Sequence, residues 1–151
     1  MIGFADFEAF LKASFPDMTD GMVERFRLMD AGYRDWNAKI NVISRKDIDS
    51  LYDHHVLHSL AIAEYLRTQR PEVYSMFTAP LQEGSVAPVS SSTNVNASRA
   101  GLRVLDLGTG GGFPGIPLAV MFPNVRFTLC DSVGKKTIVA REIANMLDLD
   151  S

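Results

Sequence analysis

A short apolar segment that runs directly into a cluster of glycines constrains this chain more than any other feature. Residues 104–107 (Val-Leu-Asp-Leu) predict a buried parallel strand, and Gly108, Gly110 and Gly112 follow at alternate positions. Glycines in this position predict a turn that feeds a helix. They allow positive φ and let the backbone come close to a ligand. The segment therefore predicts a strand–turn–helix unit of an α/β fold, with a ligand site at the turn.

The first of two carboxylates near this turn indicates which ligand the turn binds. Asp106 lies two residues before the first glycine, whereas nicotinamide and flavin sites with the pattern G-x-G-x-x-G usually have no acid there. Asp106 with its three glycines resembles the first motif of class I methyltransferases, and this resemblance implies binding of S-adenosylmethionine. A carboxylate attracts the cationic sulfonium and amino groups of that cofactor, but it would repel a diphosphate.

The second carboxylate, Asp131, ends the next predicted strand, residues 125–131. It follows Gly108 by 23 residues, close to the spacing of about 20 residues at which an acid reaches the ribose hydroxyls in βαβ nucleotide sites. A carboxylate can accept two hydrogen bonds from a vicinal diol. Asp131 alone is equally compatible with a turn residue or a helix N-cap. The glycines and Asp106 favour the cofactor role.

Residues 1–70 are predicted to be helical. Phe4, Phe7, Phe10 and Leu11 recur at helical spacing. Thr19 is the expected N-cap of a second helix, and Ser44 with Asp47 has the spacing of a capping box that would open a third helix running to about Arg67. Leu57, Leu60, Ala61 and Tyr65 form the expected buried face of that third helix.

Residues 71–100 are predicted to be a linker or insertion. The serine-rich part, residues 83–99, has no amphipathic period and is expected to be disordered. Residues 101–151 form the first part of the predicted cofactor-binding domain. Two parallel strands are too few for a stable doubly wound sheet, so we expect the front portion of a longer enzyme, truncated after the second strand and helix.

The residue composition argues against several classes of protein and site. No run of about 18 apolar residues exists, which argues against a membrane span. The single cysteine, Cys130, excludes an internal disulfide and favours the cytoplasm, and its place in a strand predicts a buried thiol. His54 and His58 have the spacing of helical metal ligands but lack a third ligand nearby, so no metal is expected. We expect a monomer.

Several longer motifs are similar to one particular family. They are Trp36-Asn37 with Lys39 and Asn41, then residues 55–60 (His-Val-Leu-His-Ser-Leu), residues 105–118 with the run Gly-Phe-Pro-Gly-Ile-Pro, residues 127–132, and Gly134-Lys135-Lys136. The chain resembles the bacterial ribosomal RNA small subunit methyltransferase G family, also called glucose-inhibited division protein B. The resemblance covers nearly everything except the serine-rich insertion.

This resemblance implies transfer of a methyl group from S-adenosylmethionine to N7 of a guanine in small-subunit (16S) ribosomal RNA. It also implies that Gly108 and Phe113 contact the cofactor and that Asp131 is the family's carboxylate at the end of the second strand. Two features depart from the family: His58 stands where an aspartate is usual, and the serine-rich insertion is atypical. The complete set of predicted cofactor-binding residues is Asp106, Gly108, Gly110, Gly112, Phe113 and Asp131.

The implied chemistry needs no catalytic acid or base, because guanine N7 already carries an exposed lone pair. Catalysis is then expected to be positional, and no catalytic residue is nominated. Contacts to RNA phosphates are considered at five cations, although a solvated surface charge is the more usual role for each: Lys39, Arg45, Lys46, Lys135 and Lys136. Two other functions remain as alternatives: a nicotinamide or flavin oxidoreductase on the same fold, and a non-catalytic RNA-binding or assembly fragment.

Overall fold

The computed structural model describes residues 2–80 and 101–149. Four helices come first in the chain: α1 (Phe4–Ser14), α2 (Asp20–Lys39), α3 (Leu57–Gln69) and α4 (Pro71–Thr78). A βαβα unit follows: β1 (Arg103–Leu107), α5 (Gly115–Met121), β2 (Arg126–Cys130) and α6 (Gly134–Met146). The predicted α/β class, with a helical N-terminal region before a Rossmann-like strand–turn–helix, is confirmed.

The first two helices form where the apolar spacing predicts them. Helix α1 buries Phe7 and Leu11 on one face. Helix α2 begins after Thr19, whose hydroxyl accepts a hydrogen bond from the N–H of Met22 at 3.2 Å, so the predicted N-cap is confirmed. The buried side of α2 ends with Tyr33, which is fully enclosed.

The predicted start of the third helix is wrong. The chain instead forms a 3₁₀ turn over Ile48–Ser50 and a π-helical segment over Leu51–Val56, and α-helical geometry begins only at Leu57. Asp47 does not cap the segment, because two histidines later in the chain bind its carboxylate. These contacts, from seven and eight residues later, compete with the capping box.

The predicted buried face of the third helix is also partly wrong. Leu60 is buried and Leu57 packs against the core, but Ala61 is exposed and Tyr65 is 56% exposed. The helix instead turns Ser59 and Ala63 inward, because it packs against both α4 and α5. Residues 71–78, predicted as part of the linker, form α4, which begins with a proline at its first position. The serine-rich residues 83–99 lie outside the described residues.

The two strands pair in parallel, with Val104 opposite Phe127 and Asp106 opposite Leu129. These pairs face α5, whereas the opposite face of β1 is open, with Leu105 61% and Leu107 82% exposed. The prediction of a buried strand is therefore wrong for β1, because within the described residues helices cover one face of the sheet alone.

The helices before residue 70 and the βαβα unit share one hydrophobic core. Helix α2 packs against both α5 and α6, and α3 packs against α5. The core includes Phe26 and Tyr33 from α2 together with Ile116 and Ile143 from the later unit. The segments predicted before residue 70 and after residue 100 are thus separate in sequence but bury their side chains in the same core. Cys130 is a free, half-buried thiol and lies less deep than predicted.

Candidate functional site

The turn that follows β1 is fastened to the end of β2. The N–H groups of Gly108 and Thr109 both donate to the carbonyl oxygen of Cys130, at 2.8 and 3.0 Å. The N–H of Phe113 donates back to the carbonyl of Thr109 at 3.0 Å and closes the turn. The turn thus lies outside the carboxyl ends of both parallel strands, where open α/β sheets bind their ligands.

The three glycines of the turn have different surroundings. Their φ values are +81° at Gly108, +59° at Gly110 and +109° at Gly112. A Cβ atom added at Gly108 or Gly110 would meet no described atom within 4 Å, so the backbone is open to a ligand there. A Cβ atom at Gly112 would lie 2.6 Å from Cγ1 of Ile116 and 3.0 Å from the Tyr33 hydroxyl. Gly112 therefore has a packing role, and its cofactor contact stays a prediction.

Asp106 binds the turn from within. Its Oδ2 atom accepts hydrogen bonds from the Thr109 hydroxyl at 2.6 Å and from the N–H of Gly115 at 2.8 Å. Gly115 is the first residue of α5, so the carboxylate lies at the position where dinucleotide-binding folds place a diphosphate. Asp106 gives the turn its shape and fills the diphosphate position, while a direct cofactor contact from it stays a prediction.

Asp131 lies beside the open part of the turn. Its two carboxylate oxygens accept the N–H groups of Val133 and Gly110, each at 2.8 Å. These two hydrogen bonds, with help from the charge of Lys136, hold the pKa of Asp131 below its usual value. The ionised carboxylate is half-buried and has lone pairs left for further donors. Asp131 thus acts as a turn residue and also stands next to the exposed backbone of Gly110.

Helix α2 reaches the turn through Tyr33, a contact that the sequence did not reveal. The buried Tyr33 hydroxyl donates to the carbonyl of Gly111 at 2.9 Å, across 78 residues of sequence. Burial raises the pKa of Tyr33, so the hydroxyl keeps its proton. The apolar period of α2 marks Tyr33 as a core residue, but no local pattern indicates its partner.

Asn37, near the end of α2, holds a second segment against the turn. Its Oδ1 accepts the N–H groups of Val42 and Ile43, and its Nδ2 donates to the carbonyl of Ile43, all at 2.9 Å. Val42 is thereby packed so closely against Gly111 that a Cβ added there would lie 3.1 Å from the valine side chain. The asparagine in the Trp-Asn motif thus fixes the backbone beside the turn.

Phe113, a predicted cofactor residue, lies between two rings from the N-terminal helices. Its ring stacks on Tyr33, with centroids 4.8 Å apart and planes at 29°, and it also contacts the imidazole of His55 at 5.1 Å. Phe113 remains partly exposed. The structure therefore brings this residue to the boundary between the turn and the helical region.

His55 belongs to a small hydrogen-bonded cluster centred on Asp47. The carboxylate binds Nδ1 of His54 at 2.5 Å and Nε2 of His55 at 2.7 Å. Hydrogen bonds from the two imidazoles lower the pKa of Asp47, and the bond from His54 has the larger effect. His54 is thus bound to a carboxylate that the sequence analysis assigned to a helix cap. Within the described residues, no group of three or more histidine, cysteine or acidic side chains is arranged to hold a metal ion.

A cavity of about 620 Å³ adjoins Phe113 and opens to solvent. One of its walls is formed by the exposed side of the π-helical segment and α3. Phe113 and Pro114 form the other side. The residues on the helical wall include His54, His55, His58, Ile62 and Tyr65.

The cations proposed for RNA contact differ in their surroundings. Lys39 pairs with Asp35 at 2.7 Å and lies over the Trp36 ring at 4.8 Å. Arg45 and Lys46 are exposed and form no ion pair with any described residue. Lys135 and Lys136 open α6 beside Asp131. Among the helices that the structure describes, none is long and apolar enough to cross a membrane.

Comparison with known proteins gives consistent results over both parts of the chain. Residues 85–151 match the family model of rRNA small subunit methyltransferase G. Curated relatives from several organisms bear the name ribosomal RNA small subunit methyltransferase G. The protein from Bacteroides fragilis is 47% identical over 135 residues, which is 89% of this chain and 51% of the relative. Over most of its length the chain is similar to the rRNA small subunit methyltransferase G family.

Two further relatives extend this result to other organisms. The protein from Porphyromonas gingivalis is 47% identical over 137 residues, or 91% of this chain and 48% of the relative. The protein from Parabacteroides distasonis is 44% identical over 141 residues, or 93% and 48%. The chain thus spans about half the length of the relatives it matches, and the similarity includes the N-terminal helices as well as the glycine turn.

Proposed function

We propose that this chain forms the cofactor-binding part of an enzyme that methylates N7 of a guanine in small-subunit (16S) ribosomal RNA with S-adenosylmethionine. One observation carries the proposal: the open backbone at Gly108 and Gly110 lies beside the Asp131 carboxylate, while Asp106 fills the diphosphate position at α5. This arrangement suits a cationic nucleoside and disfavours a dinucleotide.

The residues present fit this cofactor. Gly108 and Gly110 leave space that any side chain would fill, and the remaining lone pairs of Asp131 can accept hydrogen bonds from a ribose diol. Phe113 offers the edge of a ring at the boundary of the turn. When bound, S-adenosylmethionine supplies an electrophilic methyl group. The chain binds and orients the reactants, and we assign no acid or base because guanine N7 has no proton to lose.

The proposed substrate is supported by the names of the relatives and by the charge near the turn. Arg45 and Lys46 are exposed cations without a described ion-pair partner, and Lys135 and Lys136 lie beside Asp131. Such cations can bind RNA phosphates even though the chain as a whole has a net charge of −3. We further propose that the protein acts in the cytoplasm as a monomer.

Calorimetric titration with S-adenosylhomocysteine tests the cofactor assignment, with NAD as the comparison ligand. We expect heat of binding from the first ligand and none from NAD. Binding of NAD alone would favour the oxidoreductase alternative and overturn our interpretation of Asp106. Binding of small-subunit rRNA without methyl transfer, in a protein that binds S-adenosylhomocysteine, would favour the non-catalytic alternative.

A matched pair of glycine variants tests the placement of the cofactor. Gly110→Val puts a branched side chain into the open space beside Asp131, so it should abolish S-adenosylhomocysteine binding. Gly21→Val is the control, because Gly21 lies in the first turn of α2 and a Cβ there meets only Thr19 Oγ1 at 3.8 Å. Urea unfolding checks that both variants fold. Undiminished affinity in Gly110→Val would refute the placement.

A further inference from the structure

We propose that the cavity between α3 and Phe113 receives the purine base that is methylated. This inference rests on the proposed function and adds to it the place where the target nucleobase binds. The cavity measures about 620 Å³, within the range of about 300–1,000 Å³ that is usual for sites of small organic ligands. It opens to solvent on the side of α3, so a base turned out of an RNA loop can enter it.

The lining of the cavity suits the two faces and the edge of a base. Tyr65 and Ile62 are 56% and 43% exposed on α3, although a soluble helix usually buries such side chains. These two side chains offer aromatic and apolar surface on which a flat base can stack, and the partly exposed Phe113 borders it. The imidazole of His58 also lines the cavity and can donate a hydrogen bond to a base oxygen such as O6 of guanine, whereas His55 already donates to Asp47.

The charge next to the cavity fits a nucleotide. The carboxylate of Asp47 is engaged by its hydrogen bonds to His54 and His55 on the cavity wall. Arg45 and Lys46 immediately precede Asp47, and neither is paired with a described acid. Two cations therefore lie within two residues of Asp47, whose carboxylate binds two of the cavity histidines, and they are available to a phosphate of the bound nucleotide.

We assign the cavity to the base and not to the adenosine of the cofactor, because the two positions lie beside different elements of the fold. In the proposed function the ribose lies at Asp131, which follows β2, and β2 packs against α5 and α6. The cavity lies on the side of α3, beyond Phe113. Phe113 thus stands between the two sites, so a methyl donor at the turn and an acceptor base in the cavity would be neighbours.

Nuclear magnetic resonance of the full chain can test this assignment with guanosine 5′-monophosphate as the probe. We expect the nucleotide to shift the Ile62 methyl and His58 imidazole signals, and ribose 5-phosphate to leave them unchanged. Ala61→Phe fills the cavity from an exposed helix position and should weaken the nucleotide response at least about tenfold, the loss of one stacking contact. Ala9→Phe, at an exposed position of α1, is the matched control and should respond like the native chain.

S-adenosylhomocysteine in the same experiment separates the two proposals. It should shift the Gly108 and Gly110 amides and leave the Ile62 methyl unchanged. A shift of Ile62 by S-adenosylhomocysteine as large as that by the nucleotide would overturn the inference, since the cavity would then hold the cofactor. An equal nucleotide response in Ala61→Phe and Ala9→Phe would also overturn it. If S-adenosylhomocysteine shifts neither glycine while the nucleotide still shifts Ile62, the proposed function fails and the base site remains.

Discussion

The hydrogen bond from Tyr33 to Gly111 should contribute measurably to both stability and cofactor binding. Tyr33→Phe removes the hydroxyl and leaves the ring, so the stacking on Phe113 can persist. Within the described residues no other donor reaches the Gly111 carbonyl, and Gly111 is buried. The variant therefore leaves a buried acceptor without a partner.

The expected cost follows from this loss. A buried polar group without a hydrogen bond costs about 1–3 kcal/mol, and removal of the hydroxyl adds little cavity volume. For a chain of this length, each kcal/mol lowers the melting temperature by about 2–4 °C. Gly111 lies directly after Gly110, where the cofactor is proposed to bind. A less firmly held Gly111 carbonyl should therefore also weaken S-adenosylhomocysteine binding. Urea unfolding and calorimetry measure the two effects.

Tyr52→Phe provides the matched control. The Tyr52 hydroxyl donates to the carbonyls of Phe26 at 3.0 Å and Arg27 at 3.4 Å. Both carbonyls lie inside α2, where the helix supplies its own hydrogen bonds. We expect a smaller loss of stability than in Tyr33→Phe and unchanged cofactor affinity. Equal stability and equal affinity in Tyr33→Phe and the native chain would refute the coupling between α2 and the turn.

Two further variants test the turn itself. Gly112→Ala should destabilise the fold by about 2–5 kcal/mol in urea unfolding, from strain at positive φ and overlap with Ile116 and Tyr33; native-like stability would show that the backbone can shift there. Asp131→Asn should flatten the acid limb of the curve of stability against pH. The pKa of Asp131 is lower in the folded chain than its usual value of about 3.9. The native carboxylate therefore stabilises the fold above that usual value and loses this effect as pH falls through the pKa of the folded state. An unchanged acid limb would contradict the role of its two backbone hydrogen bonds.

The sequence predicts the elements of the site well because their signals are local. The strand, the glycine turn and the helix after it follow one another within residues 103–121. Thr19 caps α2 through a hydrogen bond only three residues away. Features of this kind depend on backbone conformation and short-range hydrogen bonds, which composition and spacing encode directly.

The errors arise where contacts from outside a local pattern compete with it. Ser44 and Asp47 have the spacing of a capping box, but His54 and His55 bind the acid instead. Ala61 and Tyr65 satisfy a helical period and yet face the cavity, because the neighbouring helices lie on the opposite side of α3. No local pattern can show these arrangements.

The helical region is part of the proposed site and more than a support for it. Tyr33 binds the carbonyl of Gly111, and Asn37 fixes the segment that packs Val42 against the same residue. His55, in the π-helical segment, contacts Phe113. In the described residues the sheet contributes two strands to the turn, so contacts from the helices restrict it on the side away from β2. Changes in these helices should therefore alter cofactor affinity even where they touch no cofactor, because the turn is ordered by the packing on both of its sides.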